Sequence, residues 1–502
     1  MEKVNITLHV VFIGKPQWEA GWPYIGYDNE QLTNEILNHL NETFPNLNFT
    51  HNEMIGIYDD ELIKKIKDNI LDADGVIIFT IGHYGYPGII KAGIEFIEMA
   101  KPTILANLIY AGDHTFTKIF TSIKEKNYRL YPISSRNILD FDKPIRVLSN
   151  ILRLGGNNVL VYASDKIKMD WEVILGLFNP ERKKLIKESP EFIEQVGKMK
   201  GDTNFEFYTD TQGFDQAHQW RKDEKKYKQN LKSTFNVEMI RGDPNEIVEY
   251  YKNVDEEEAK IIADKWIKNA KIVEPTEKTI LNSARLYLAF KEILNEKNCK
   301  YFSPDCGTFL LTGKLPAYPC MAFFELSKEG YYGICESDMD SAVSFLFGLY
   351  ISGRPGFVSN HTFDSIKDQI TYMHCVAPSK LQGIDGPTAD YDIVYHGETA
   401  YLGASPCVKF PVGEPVTTIK ISVFKNKIEI RNGKIVDNVS DKGGCVSKML
   451  VETNVEEILN NYDWDSFGWH RVSFIGDWTE EFVIGAKLLG LEILNLASKF
   501  KS

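Results

Sequence analysis

The stretch Gly330–Ala342, GYYGICESDMDSA, decides how the chain is read. Tyr331 to Cys335 is a short apolar run with the length and composition of a buried strand. Ser337 and Asp340 then form a capping-box-like pair. Met339, Ala342, Val343, Leu346, Leu349 and Tyr350 recur at helical spacing as far as Gly353, a natural C-cap. Glu336 therefore stands at the carboxyl end of a strand, just before a helix, which is the edge where open α/β sheets bind ligands. Spacing alone leaves two readings: a ligand-facing carboxylate, or one more acid favoured by a helix N-terminus.

Working outward towards the N-terminus, Ile6–Ile13, Gly75–Ile81 and Thr103–Leu108 read as buried strands. Helical stretches near 29–43, 60–71, 88–100 and 115–126 alternate with them, which predicts parallel βαβ units. No G-x-G-x-x-G follows the first strand, so a dinucleotide fold is not supported. A second α/β unit begins near Asn157, with strands at Val159–Tyr162 and Phe235–Ile240 and helices at about 244–253, 256–270 and 276–296. Between its first two strands lies a polar, Lys-rich segment holding DTQGFDQAHQWRKDE. Gln212, Gln216 and Trp220 are candidate sugar contacts there, because an indole stacks on C–H faces and amides satisfy hydroxyls. A solvated surface segment is the competing reading.

Towards the C-terminus the pattern changes. Ile370–His374, Thr417–Phe424, Lys427–Asn432 and Ser447–Thr453 read as strands joined by Gly, Pro, Asn and Asp turns, and imply a barrel-like all-β region. A strand at Arg471–Ile475 and an amphipathic helix close the chain. The predicted fold class is α/β: two Rossmann-like α/β domains, 1–155 and 156–353, then a C-terminal antiparallel β-barrel domain, 354–502, with a terminal helix.

Composition narrows the function classes. Of 502 residues, 43% are hydrophobic and 25% charged, as in ordinary globular chains. A net charge of −13 argues against a nucleic-acid partner and favours a small molecule. No apolar run reaches membrane-spanning length and no signal peptide opens the chain, so a cytoplasmic protein is expected. Seven cysteines are scattered without a C-x-x-C pair, which indicates neither a zinc knuckle nor a disulfide framework.

The segments LNSARLYLAFKEIL, SPDCG, PCMAFFELSKEGYYGICESDMDSAVSFL, YMHCVAP, GASPCVKFPVGEPVTTIKIS and WHRVSFIGDW…AKLLGLEIL follow one another from about residue 275 onward. In them the chain resembles the L-fucose isomerase family and its L-arabinose isomerase relatives. That resemblance implies a three-domain subunit and a homo-oligomer, hexamer or trimer, with active sites near subunit contacts. It also implies a divalent-metal aldose–ketose isomerase of a free sugar (a pentose, deoxyhexose or related sugar), working through an enediol. The ion expected is Mn²⁺, with Mg²⁺ or Co²⁺ as alternatives.

Carried over by position, Glu336 is both metal ligand and acid/base, and His470 is the C-terminal histidine ligand. His374, in YMHC, matches a histidine of the arabinose-isomerase branch and is a catalytic candidate. Asn360 falls where the family places its second metal-binding carboxylate. A neutral amide can coordinate through its carbonyl oxygen but cannot act as a base. Asp364, four residues on, is the candidate replacement base, with His361 nearby. His396 and Glu398 precede a matched block and are candidate sugar contacts. Competing functions are an epimerase or lyase acting on a modified sugar or sugar acid through an enediolate, and a non-catalytic sugar-binding paralogue.

Overall fold

In the computed structural model the first apolar runs fold as the strands they predict: Ile6–Ile13 (β1), Gly75–Thr80 (β3) and Thr103–Leu108 (β4), flanked by Leu47–His51 (β2) and Leu130–Ser135 (β5). The structure describes residues 5–14, 23–82, 87–163, 219–306, 314–396, 403–441 and 443–497. The five strands are parallel, in the order β2-β1-β3-β4-β5, a doubly wound arrangement. Aspartates start its first two helices: Asp28 and Asp59 accept from the backbone N–H groups of Gln31 and Leu62, satisfying donors that helix geometry leaves free.

A second parallel sheet, in the order β7-β6-β8-β9, is built from Asn158–Tyr162 (β6), Glu238–Gly242 (β7), Tyr301–Pro304 (β8) and Tyr332–Gly333 (β9). The last strand is shorter than the apolar run Tyr331–Cys335 suggests. The chain leaves the sheet at Cys335 and makes a tight turn in which Glu336 (φ 64°) and Ser337 (φ 49°) are left-handed.

The remaining strands are Phe357–Asp364 (β10), Gln369–His374 (β11), Tyr391–Tyr395 (β12), Ala404–Val408 (β13), Pro415–Ser422 (β14), Lys427–Asn438 (β15), Ser447–Glu452 (β16), Arg471–Ile475 (β17) and Glu492–Asn495 (β18). Six of them run β14-β17-β10-β11-β16-β15 in antiparallel pairs, and β14 pairs back onto β15, closing a barrel. Strands β12 and β13 form a separate pair. The helix Thr479–Leu489 is not the last described element as expected; β18 follows it and adds to β15 in parallel.

The helix Met339–Ser352 joins these parts. Its N-cap is Asp338, whose Oδ1 accepts from Ser341 N–H at 2.9 Å, rather than Ser337 as the local spacing suggests. It ends at left-handed Gly353, the expected C-cap. Its apolar side shares one core with Ile419, Ile421, Ile428, Ile430, Val472 and Phe474 on the outer side of the barrel. Gly348 makes that approach possible, since a Cβ there would lie 2.1 Å from the Phe474 ring. Among the described residues, no helix is long and apolar enough to cross a membrane.

Candidate metal centre

Three side chains from distant parts of the chain converge at one end of the barrel. Glu336 is presented by the left-handed turn after β9, His374 ends β11, and His470 immediately precedes β17. One potential ligand atom from each lies within 4.8 Å of the others. Glu336 Oε1 is 3.5 Å from His374 Nε2, and its Oε2 is 3.6 Å from His470 Nε2. The Glu336 side chain is 44% exposed, so the cluster opens to solvent on the carboxylate side, while both imidazoles are buried.

The turn carrying Glu336 is held from beneath. Trp220 is fully buried, and its indole Nε1–H donates to the Ser337 carbonyl at 2.9 Å. The guanidinium groups of Arg221 and Arg241 lie over its ring at 4.9 and 5.0 Å. The sequence reading offered this indole to a sugar; its burial removes that role and makes it a clamp on the backbone beside Glu336.

Asp338 orients His470. Its Oδ2 accepts from His470 Nδ1 at 2.9 Å and from Lys420 Nζ at 2.8 Å. A carboxylate can only accept, so in the neutral ring Nδ1 carries the proton and Nε2 turns its lone pair towards Glu336, the usual outer-shell device of a metal-binding histidine. Burial alone would lift the Asp338 pKa, but Lys420 and His470 overrule it and hold the carboxyl far below its ordinary value. Lys420 also donates to Ser341 Oγ at 2.6 Å.

His374 has the opposite character. Burial disfavours its charged form, yet the neighbouring Glu336 raises its pKa to about 9. Neither of its ring nitrogens has a hydrogen-bond partner. Glu336 thus favours a proton on His374, and a cation bound by the three ligands would compete with that proton.

Asn360 lies on β10 opposite Met373 of β11. The β10–β17 pairing ends with Ser359 opposite Arg471, the neighbours in sequence of Asn360 and His470. The Asn360 Oδ1 atom is buried without a partner. A carboxylate and two imidazoles form a donor set suited to a divalent transition ion.

The other candidates fall elsewhere. The segment FVSNHTFD is a strand, so Asp364 stands four residues from Asn360, roughly 13 Å along it. Asp364 Oδ1 accepts from the N–H groups of Ile366 and Lys367, each at 3.1 Å, closing the β10–β11 turn. It is a turn residue, and the expectation that it supplies a base at Glu336 is corrected. His361 is buried, bonds Tyr462 Oη at 3.0 Å, and is kept neutral first by burial and then by Arg471 and Arg431. His396 is buried against Tyr318 with ring centroids 4.3 Å apart; burial and then the charge of His374 lower its pKa to about 4, which places it within electrostatic reach of the cluster. Gln212, Gln216 and Glu398 lie outside the described residues.

Asp338 and Lys420 were missed by the sequence reading. Asp338 stood in the quoted stretch, two residues after Glu336, but the cap had been given to its neighbour. Lys420 has no local signal, since its partner is 82 residues away. Compared with known proteins, the chain matches no family model and no curated sequence.

Proposed function

We propose that the chain is a metal-dependent aldose–ketose isomerase acting on a free sugar, such as a pentose or deoxyhexose, with Mn²⁺ as the ion that Glu336, His374, His470 and Asn360 would hold. The observation that carries this reading is the meeting of Glu336, His374 and His470, with Asp338 fixing the orientation of the last.

Aldose–ketose exchange moves a proton between C1 and C2 through an enediol and needs a base and stabilisation of charge on two oxygens. A bound divalent ion supplies the second requirement. Glu336 supplies the first. It is the only carboxylate of the cluster, faces solvent, and can take a proton from one carbon and return it to the next. His396, held neutral, can donate a hydrogen bond to a substrate oxygen without adding charge. The resemblance adds a homo-oligomer in the cytoplasm to the proposal; sedimentation showing an active monomer would remove that part.

Asn360 favours a second reading. A neutral amide leaves the site one negative charge short of a two-carboxylate centre, and a sugar acid would bring the missing charge itself. Epimerisation or elimination on such a substrate would use the same Glu336.

The test is deuterium incorporation at C2 in D₂O, with Mn²⁺, over panels of free aldoses and of sugar acids. Mn²⁺-dependent exchange into aldoses, abolished in Glu336→Gln, is expected. Exchange confined to sugar acids selects the second reading. Absence of exchange in both panels sinks the enzymatic proposal.

A further inference from the structure

The barrel interior behind the cluster contains charges that a sugar site has no direct use for. Lys420 and Glu429 are cross-strand partners on β14 and β15, and Arg431 shares their face two residues along. Glu429, Arg431 and Arg471 are all fully buried. Glu429 Oε1 accepts from Arg431 Nη2 at 2.8 Å and its Oε2 from Arg471 Nε at 2.5 Å. Burying such a trio is a poor route to stability, because desolvation consumes most of what the attraction returns.

What Arg471 touches next gives the trio a purpose. His470 is delivered by a cramped segment: the short helix Trp464–Phe467, then Gly468 at φ 60°, ψ −142°, a conformation essentially confined to glycine. The carbonyls at this helix end have no intrahelical donor. Arg471 folds back, and its Nη1 donates to the carbonyls of Phe467, Gly468 and His470 at 3.2, 3.0 and 2.9 Å. Tyr462 Oη adds a second bond to the Gly468 carbonyl at 3.1 Å. The ring of His470 is thus fixed twice: Asp338 sets its rotation, and Arg471 sets where its backbone stands.

We propose that Arg471, braced by Glu429, is a positioning residue whose planar fork locks the 467–470 backbone and so sets the His470 ligand in register with Glu336 and His374. This rests on the metal-centre reading. A guanidinium can bond a carboxylate and several carbonyls in fixed directions, whereas an ammonium at the same place keeps the charge and loses the fork. Arg431 contacts Glu429 but bonds none of the segment's carbonyls, which makes it the internal control.

The experiment is Mn²⁺ titration of the full chain by calorimetry, on wild type, Arg471→Lys and Arg431→Lys, each first shown folded by circular dichroism. Arg471→Lys should weaken Mn²⁺ binding by about tenfold or more, the lower end of typical outer-shell effects. Arg431→Lys should leave it unchanged. If Arg471→Lys does not fold, Glu429→Gln tests the same brace, with the same direction of loss expected. Folded Arg471→Lys binding Mn²⁺ as wild type does, or equal losses in both Lys variants, would overturn the proposal. Wild-type protein that binds no Mn²⁺ would overturn the metal-centre reading beneath it as well.

Discussion

Asp338 and Asp340 begin the same helix two residues apart, yet their surroundings drive them in opposite directions. Both are buried, which raises a carboxyl pKa. At Asp338, Lys420 and His470 more than compensate and the group stays ionised. At Asp340, burial prevails and the charge of Asp338 adds to it, against Lys420 and the Tyr227 hydroxyl, leaving a pKa of about 6 against an ordinary 3.8. Two predictions follow from this contrast. Asp338→Asn leaves Lys420 buried without its counter-charge and should destabilise the fold by about 3–5 kcal/mol in denaturant titration, while weakening Mn²⁺ binding. For Asp340 the sign is reversed from that of a salt-bridged acid. Between its unfolded and folded pKa values the folded state binds a proton that the unfolded state lacks. Its stabilising contribution is complete below the unfolded value and is lost as pH rises through about 6. Asp340→Asn, which mimics the protonated acid, should melt higher than wild type at pH 8 and converge with it near pH 4. Parallel melting curves across that range would show that Asp340 is not buried as a neutral acid.

At the scale of elements, the turn between β9 and the helix Met339–Ser352 decides whether a site exists, because it takes Glu336 out of the sheet. Trp220 supports it from a distant segment. Trp220→Phe keeps the apolar packing but leaves the buried Ser337 carbonyl without its donor, a loss of about 1–3 kcal/mol. Mn²⁺ binding should weaken with it. A variant unchanged in both, but impaired in sugar binding, would restore the sugar-stacking role instead. The elements readable from sequence were those whose signal is local. Strands β1, β3 and β4 are apolar runs buried on both faces, and the helix after Asp338 has its apolar positions and Gly353. Strand β10 escaped because it holds Ser359, Asn360 and His361, polar residues suited to a charged barrel interior and a site, in place of an apolar alternation. Asp364 was mistaken for a base because its distance from Asn360 depends on that strand, which the sequence did not reveal. Glu336 stood out at the end of its apolar run, whereas His470 was a candidate only through the resemblance. The bond from Asp338 to Lys420, and the fork of Arg471 on its own turn, depend on how the barrel closes, which no spacing records.

At the scale of the whole molecule, the three larger sheets are fastened to one another by helices rather than strung on linkers. The helix Met339–Ser352 shares a core with β14 and β17 of the barrel and with Ile145, Leu148 and Ile151 of the helix Asp142–Leu154, which belongs to the first sheet. The helix Thr479–Leu489 returns to that same region: Asn127 donates to the Gly490 carbonyl at 2.7 Å, and Lys143 pairs with Glu480 at 2.5 Å. Phe482 sits at the junction, fully buried, its ring 5.7 Å from Phe347 and 5.5 Å from Phe474. It therefore touches the joining helix and the barrel while its own helix rests on the first sheet. Truncating a buried aromatic of this kind costs about 3–5 kcal/mol. In a chain of independently folding units that loss would stay in the unit that owns Phe482. Here it should be shared, so that Phe482→Ala speeds hydrogen exchange together in β1, β8 and β17, one strand from each of the three larger sheets. If exchange accelerates in β17 alone while β1 and β8 stay protected, the barrel unfolds by itself, and the helices that join the sheets do not couple them.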